Sequence, residues 1–212
     1  MSETLDKRKL REYYESIVEA RLSWIRKDRP SYIRHMEAAT RARRFIDKGD
    51  RRLVVLDVGA GFGETLAYLK DLNCYRIACD ISSRALEVAK RSADDVVVCD
   101  AEALPIRNES IDIILCIEVL EHLVNPLNSL KEIRRVLRLK GKFILTTPSA
   151  DSKCYNHDKE HIHHFNRETL TRLIGESGLG VMSISSIKIR HRVWLIPLPS
   201  YEESILVEGK NS

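Results

Sequence analysis

Between Leu53 and Thr147 the chain repeats one rhythm: a short apolar run, a turn, an amphipathic stretch, then another apolar run. The runs are LVVLDV (Leu53 to Val58), YRIACD (Tyr75 to Asp80), VVVCD (Val96 to Asp100), IDIILCI (Ile111 to Ile117) and KFILTT (Lys142 to Thr147). They lack polar alternation, so neither face of these strands is meant for water. Strands buried on both faces need helices over both faces. Alternating strands and helices connect by right-handed crossovers into a mostly parallel sheet. The pattern predicts a doubly wound, Rossmann-like α/β domain.

The intervening segments carry helix signals. Ser82 or Ser83 is placed to cap a helix through Lys90, and Asn125-Pro126 is an N-cap and first-turn pair. That second helix sets Leu130, Ile133 and Leu137 on one face and is expected to stop near Gly141. Asn166 caps a further helix, Arg167 to Ser177, which Gly178 and Gly180 terminate. Val181 to Arg192 and Ser204 to Glu208, joined by a loop at Pro197 to Pro199, read as a closing β-hairpin at the sheet edge. Ahead of the first strand, Leu10 to Ile46 is helical in texture, with Leu10, Tyr14, Ile17 and Trp24 near helical spacing and an interruption at Pro30. The expected division is an N-terminal helical segment, 1–50, and a Rossmann-like domain, 51–212.

Composition bounds the function. No stretch is apolar over the roughly 18 residues a membrane span requires, and Met1 to Arg11 alternates charges where a secretory signal needs an apolar core. A cytoplasmic location and no membrane partner are expected. Five cysteines without a C-x-x-C pair read as reduced, mostly buried thiols. A formal charge of +4 over 212 residues falls short of a strongly basic stripe. A nucleic-acid partner is therefore not favoured, although Arg41, Arg43, Arg44, Lys48, Arg51 and Arg52, and later Arg134, Arg135, Arg138 and Lys140, keep it open.

Open α/β sheets bind ligands beyond the carboxyl ends of their strands, where strand order reverses. The first strand runs into Gly59-Ala60-Gly61-Phe62-Gly63-Glu64, a turn whose amides can approach a carboxylate or phosphate. A dinucleotide fingerprint would want a third glycine where Glu64 stands, and a carboxylate there repels pyrophosphate. Asp80 ends the second strand about 20 residues on, placed to accept ribose hydroxyls. Asp100 ends the third, where its carboxylate or the backbone around Ala101 and Glu102 can hold an adenine amino group. Either acid alone reads as a turn residue; two in step behind a glycine turn read as an adenosine site.

From Leu53 to Gly178 the chain resembles the class I S-adenosylmethionine-dependent methyltransferases, especially their small-molecule branch. The matching segments are VLDVGAGFG, ACDIS, VVCDAEALPI, DIILCIEVLEHL and KFILTTPS, in the family's order. The resemblance implies seven strands with the last antiparallel, S-adenosylmethionine as cofactor and S-adenosylhomocysteine as its product. It further implies that Gly59, Ala60, Gly61 and Gly63 border the methionine moiety, Asp80 and Ile81 the ribose, and Asp100, Ala101 and Glu102 the adenine. Ile117, Glu118 and Val119 would form the far side.

Glu118, Glu121 and His122 follow the fourth strand at i, i+3 and i+4 and would share a face if that segment were helical. His122 is the candidate catalytic base. Two carboxylates and His122 could also be joined by His161, His163 or His164, but no metal ligand is assigned. The leading expectation is methyl transfer to a small molecule by a monomer or homodimer. An RNA methyltransferase and a non-catalytic adenosine-ligand binder are the alternatives.

Overall fold

A computed structural model describes residues 7–16, 29–46, 51–152, 160–190 and 201–211. Ile17, Trp24, Lys48, Cys154, Tyr155 and the Pro197 to Pro199 loop lie outside them. Among the described residues, two helices, α1 (Lys7–Ser16) and α2 (Arg29–Ile46), precede the sheet. Pro30 is the second residue of α2, where a first-turn amide has no helical acceptor to lose.

The sheet has seven strands: β1 (Leu53–Val58), β2 (Cys74–Asp80), β3 (Asp95–Val98), β4 (Ile111–Ile117), β5 (Leu137–Pro148), β6 (Leu179–Arg190) and β7 (Tyr201–Asn211). Their order is β3-β2-β1-β4-β5-β7-β6. The chain walks outward from β1 to β3 and then returns to place β4 on the other side of β1. That reversal puts the ligand crevice above the ends of β1 and β4. β7 alone runs against its neighbours, pairing antiparallel with β5 and β6. The closing hairpin thus inserts its second strand inside the sheet and leaves β6 at the edge.

The helices are α3 (Glu64–Ala67), α4 (Ser83–Ala89), α5 (Pro126–Val136) and α6 (Arg167–Glu176). Ser82, Asn125 and Asn166 cap α4, α5 and α6, and Asn166 forms a capping box with Thr169. α5 stops at Val136, five residues before Gly141, because Leu137 pairs with Ile111 and opens β5. Gly178, at φ 83, ends α6, whereas Gly180 belongs to β6.

Strand parity divides the core. Leu56, Val58, Ile114, Cys116 and Leu145 pack with Leu130 and Ile133 of α5 and Leu170 and Ile174 of α6. Val55, Ile113, Leu115 and Ile144 pack on the other face with Ala38, Ala42 and Ile46 of α2 and Leu86 of α4. The sheet is covered on both sides, as its unbroken apolar runs require.

The expectation of five reduced thiols is corrected at one pair. Cys79 and Cys99 are disulfide-bonded, with Cα atoms 6.1 Å apart, while Cys74 and Cys116 are free and buried. Parallel pairing of β2 with β3 brings the two strand ends together, although a helix separates them in sequence.

Much of the basic charge is engaged within the fold. Asp112, 6% exposed, takes Arg51 and Arg138 and accepts the Val54 amide at 2.9 Å. Arg43 pairs with Asp71, Arg41 with Glu37 and Glu208, Arg52 with Asp94, and Arg135 with Glu132. Among the described residues, no helix is long and apolar enough to cross a membrane.

Candidate active site

The turn after β1 is tied to β2. Gly59 and Ala60 donate their amides to the Cys79 carbonyl at 2.8 and 2.9 Å, and the Gly61 amide donates to Asp80 Oδ2 at 2.8 Å. Gly59 and Gly61 have φ of 70° and 53°, in the region where a side chain is strained. A Cβ on Gly59 would lie 2.4 Å from Val119 Cγ2, so glycine is also what lets β1 approach the segment after β4. On Gly61 the nearest atom would be Glu64 Oε2 at 3.7 Å, which leaves room above the turn.

The two strand-end acids are shaped alike. Asp80 Oδ1 accepts the Ser82 amide at 2.8 Å, and Asp100 Oδ1 accepts the Glu102 amide at 2.9 Å. Each carboxylate is held by the backbone two residues on, in an Asx turn. Gly59, Gly61, Asp80, Ile81, Asp100, Ala101, Glu102, Glu118 and His122 line one cavity, together with Phe62, Ser82 and Val119. Ala60, Gly63 and Ile117 do not line it. Ala60 and Ile117 are 4% exposed within the core below α2, and a Cβ on Gly63 would press on Ala89 of α4 at 3.1 Å.

The roof comes from the N-terminal segment. Lys7 and Tyr14 of α1 line the same cavity. Lys7 Nζ lies 2.7 Å from Asp100 Oδ2 and 2.8 Å from Glu102 Oε2. Glu15, one residue beyond Tyr14, accepts the Ser83 amide at 2.7 Å and its hydroxyl at 2.9 Å, docking α1 on the open N-terminus of α4. No motif marks these residues; only the docking reveals them. Asp57, beneath the turn, belongs to the VLDVGAGFG segment but has no role assigned from sequence. It is 2% exposed, and burial, with Glu64 and Asp80 nearby, pushes its carboxyl well above the usual range.

Glu118, Glu121 and His122 do not share a helical face. Glu118 sits at φ 56°, and only Leu120–His122 form a 3₁₀ turn. Glu118 Oε2 faces Arg34 Nε at 3.3 Å, and Arg34 also donates to Ser204 Oγ at 2.7 Å. Glu121 is 1% exposed and accepts the Thr147 hydroxyl at 2.9 Å. Burial, and Glu118 beside it, push its carboxyl well above the usual range. His122 Nδ1 lies 3.1 Å from the Glu160 carbonyl oxygen, and its ring is 6.2 Å from that of Tyr14 and 4.9 Å from that of His161. His163 instead stacks on Phe165 at 5.9 Å.

Residues 56–145 match the family model described as a methyltransferase domain. An uncharacterized protein of Methanocaldococcus jannaschii is 36% identical over 139 residues, which are 61% of this chain and 59% of that protein. Probable tRNA methyltransferase 9B of Mus musculus is 29% identical over 146 residues, 66% of this chain and 32% of that protein. The chain therefore spans less than two thirds of either curated relative. A Haloferax volcanii protein solved in complex with the Trm112 methyltransferase activator superposes with a TM-score of 0.76 at 18% identity, over 93% of this chain and 97% of that one.

Proposed function

We propose that the chain acts as a class I S-adenosylmethionine-dependent methyltransferase, transferring the cofactor's methyl group to a small-molecule acceptor and releasing S-adenosylhomocysteine as product; the methyltransferase-domain match over residues 56–145 supports this. One observation carries the reading: the Gly59 to Gly61 turn and two carboxylates from neighbouring strands, Asp80 and Asp100, border a single cavity. In this reading the Gly59, Ala60, Gly61 and Gly63 turn borders the methionine end, Asp80 and Ile81 hold the ribose, and Asp100, Ala101 and Glu102 the adenine. Glu118 and Val119 close the far side. Residues 1–50 supply α1 as roof and α2 as flank to the domain at 51–212, in a cytoplasmic setting.

S-adenosylmethionine brings an already activated sulfonium methyl. What remains for the protein is to align the acceptor and exclude water, and such orientation contributes about 7 to 11 kcal/mol in favourable cases. His122 is the proposed proton acceptor, worth about 10²–10⁴-fold for a hydroxyl acceptor. A carbonyl oxygen only accepts, so Nδ1 carries the proton in its contact with Glu160, and Nε2 of the neutral ring keeps a lone pair.

The ion pairs that occupy Arg41, Arg43, Arg51, Arg52, Arg135 and Arg138 support a small acceptor over a polyanion. The similarity to the Mus musculus probable tRNA methyltransferase 9B favours the second reading, RNA methylation. Calorimetry against S-adenosylmethionine, S-adenosylhomocysteine and NAD tests the cofactor. The first two are expected to bind; strong NAD binding with no response to the sulfur nucleosides ends the proposal and leaves no adenosyl-sulfur site to argue from. RNA affinity that falls steeply with salt, with label transfer to tRNA, moves the acceptor to RNA.

A further inference from the structure

Beside the cavity, at the end of β4, three potential ligand atoms converge. Glu121 Oε2 accepts from Thr147 Oγ1, but Oε1 is buried with no hydrogen-bond partner. It faces His122 Nε2 at 3.9 Å. With Nδ1 of His122 donating to the Glu160 carbonyl, Nε2 of the neutral ring is an acceptor that faces Oε1 across that gap. A proton or a metal ion between them satisfies both atoms.

His161 completes the set. Its ligand atom, that of Glu121 and that of His122 all lie within 4.8 Å of one another. Ligand atoms around a tetrahedral ion at about 2.0–2.2 Å stand ~3.4 Å apart, so small side-chain movements close the set on an ion. The loop is held for this: the amides of Ile162 and His163 both donate to the Glu121 carbonyl, at 2.9 and 3.1 Å. The bond from His122 Nδ1 to a backbone carbonyl is the outer contact that orients metal-bound imidazoles.

We propose that Glu121, His122 and His161 hold one divalent transition-metal ion at the edge of the cofactor cavity, zinc or manganese by ligand type. One carboxylate and two imidazoles suit these ions better than magnesium or calcium, which take oxygen-rich shells. Three protein ligands leave a coordination position open, and His122 lines the cavity, so that position suits a hydroxyl oxygen of the acceptor. The ion then replaces His122 as the group that activates the hydroxyl. This acceptor class rests on the methyl-transfer reading, whereas the ion site rests on side-chain geometry alone.

The test is elemental analysis of untagged full-length protein purified without chelator, followed by calorimetric titration of the stripped protein with Zn²⁺ and Mn²⁺. About one ion per chain is expected for a three-ligand site, with affinity lowered at least ~10-fold in both His161→Ala and Glu121→Gln. S-adenosylhomocysteine affinity in His161→Ala should match wild type, which separates this site from the cofactor reading. Should Glu121→Gln fail to fold, His161→Ala decides. A wild-type titration without a saturable site, or His161→Ala binding the ions as tightly as wild type, overturns the proposal.

Discussion

Asp80 Oδ2 accepts the Gly61 amide at 2.8 Å while its Oδ1 accepts the Ser82 amide at 2.8 Å, so one carboxylate fixes both the glycine turn and the entry to α4. The residue proposed to hold the ribose also shapes the wall around it. Asp80→Ala removes a charged acceptor that contributes about 1.5–3 kcal/mol per bond, and S-adenosylhomocysteine affinity should fall by roughly 10- to 100-fold. Asp80→Asn keeps one acceptor oxygen and should fall between. Calorimetry reads both, and unchanged affinity in Asp80→Ala removes this residue from the site.

The turn itself predicts an asymmetry between two glycines with similar backbones. A methyl on Gly59 meets Val119 at 2.4 Å, whereas on Gly61 nothing lies nearer than Glu64 Oε2 at 3.7 Å. Both substitutions carry the left-handed penalty of about 1–2 kcal/mol. Only Gly59→Ala adds a clash that pushes Val119 away from β1 and distorts the cavity wall. Its melting temperature should therefore drop further than that of Gly61→Ala. Equal losses would mean that the segment after β4 yields freely.

Strand ends were legible because unbroken apolar runs locate them to within a residue or two, and the acids follow directly. Asp80 and Asp100 were found this way, as were the caps Ser82, Asn125 and Asn166. Pairing between distant segments was not legible. Leu137 fits the apolar face of α5 by periodicity, but its partner Ile111 draws it into β5. The Cys79–Cys99 bond needs the β2–β3 register, which no spacing announces. Helical spacing put Glu118, Glu121 and His122 on one face, and the positive φ at Glu118 broke that pattern. Lys7 lies in a charge-rich segment whose docking depends on Glu15 reaching Ser83.

Lys7 occupies acceptors that an adenosyl ligand would use. Its ammonium lies against both Asp100 and Glu102, and at 46% side-chain exposure that ion pair is worth about 0–1 kcal/mol. Removing it in Lys7→Ala takes away a competitor, and S-adenosylhomocysteine should bind as well as before or up to about 5-fold tighter. The same variant should show less dependence of affinity on salt. Weaker binding in Lys7→Ala would instead make Lys7 a clamp on the bound nucleoside.

Acid sensitivity should trace in part to His35, which sits on α2 against the sheet with Nδ1 2.7 Å from Thr65 Oγ1. Burial, and then the neighbouring Arg34 charge, lower its pKa to about 4 from an ordinary 6.5. The unfolded chain therefore takes up the proton first as pH falls. Stability from this residue is complete above pH 6.5 and is lost progressively as pH drops toward 4, to a total of about 3 kcal/mol at most. Asp94 and Asp112, whose carboxyls lie below the usual 3.8 because Arg76, Arg51 and Arg138 overcome their desolvation, lose their contribution only at lower pH. The windows are separable. Urea unfolding of wild type and His35→Gln across pH 4 to 7 should give curves that converge as pH falls, because Gln does not titrate. Parallel curves through that interval would show that His35 protonates in the folded chain as readily as in the unfolded one.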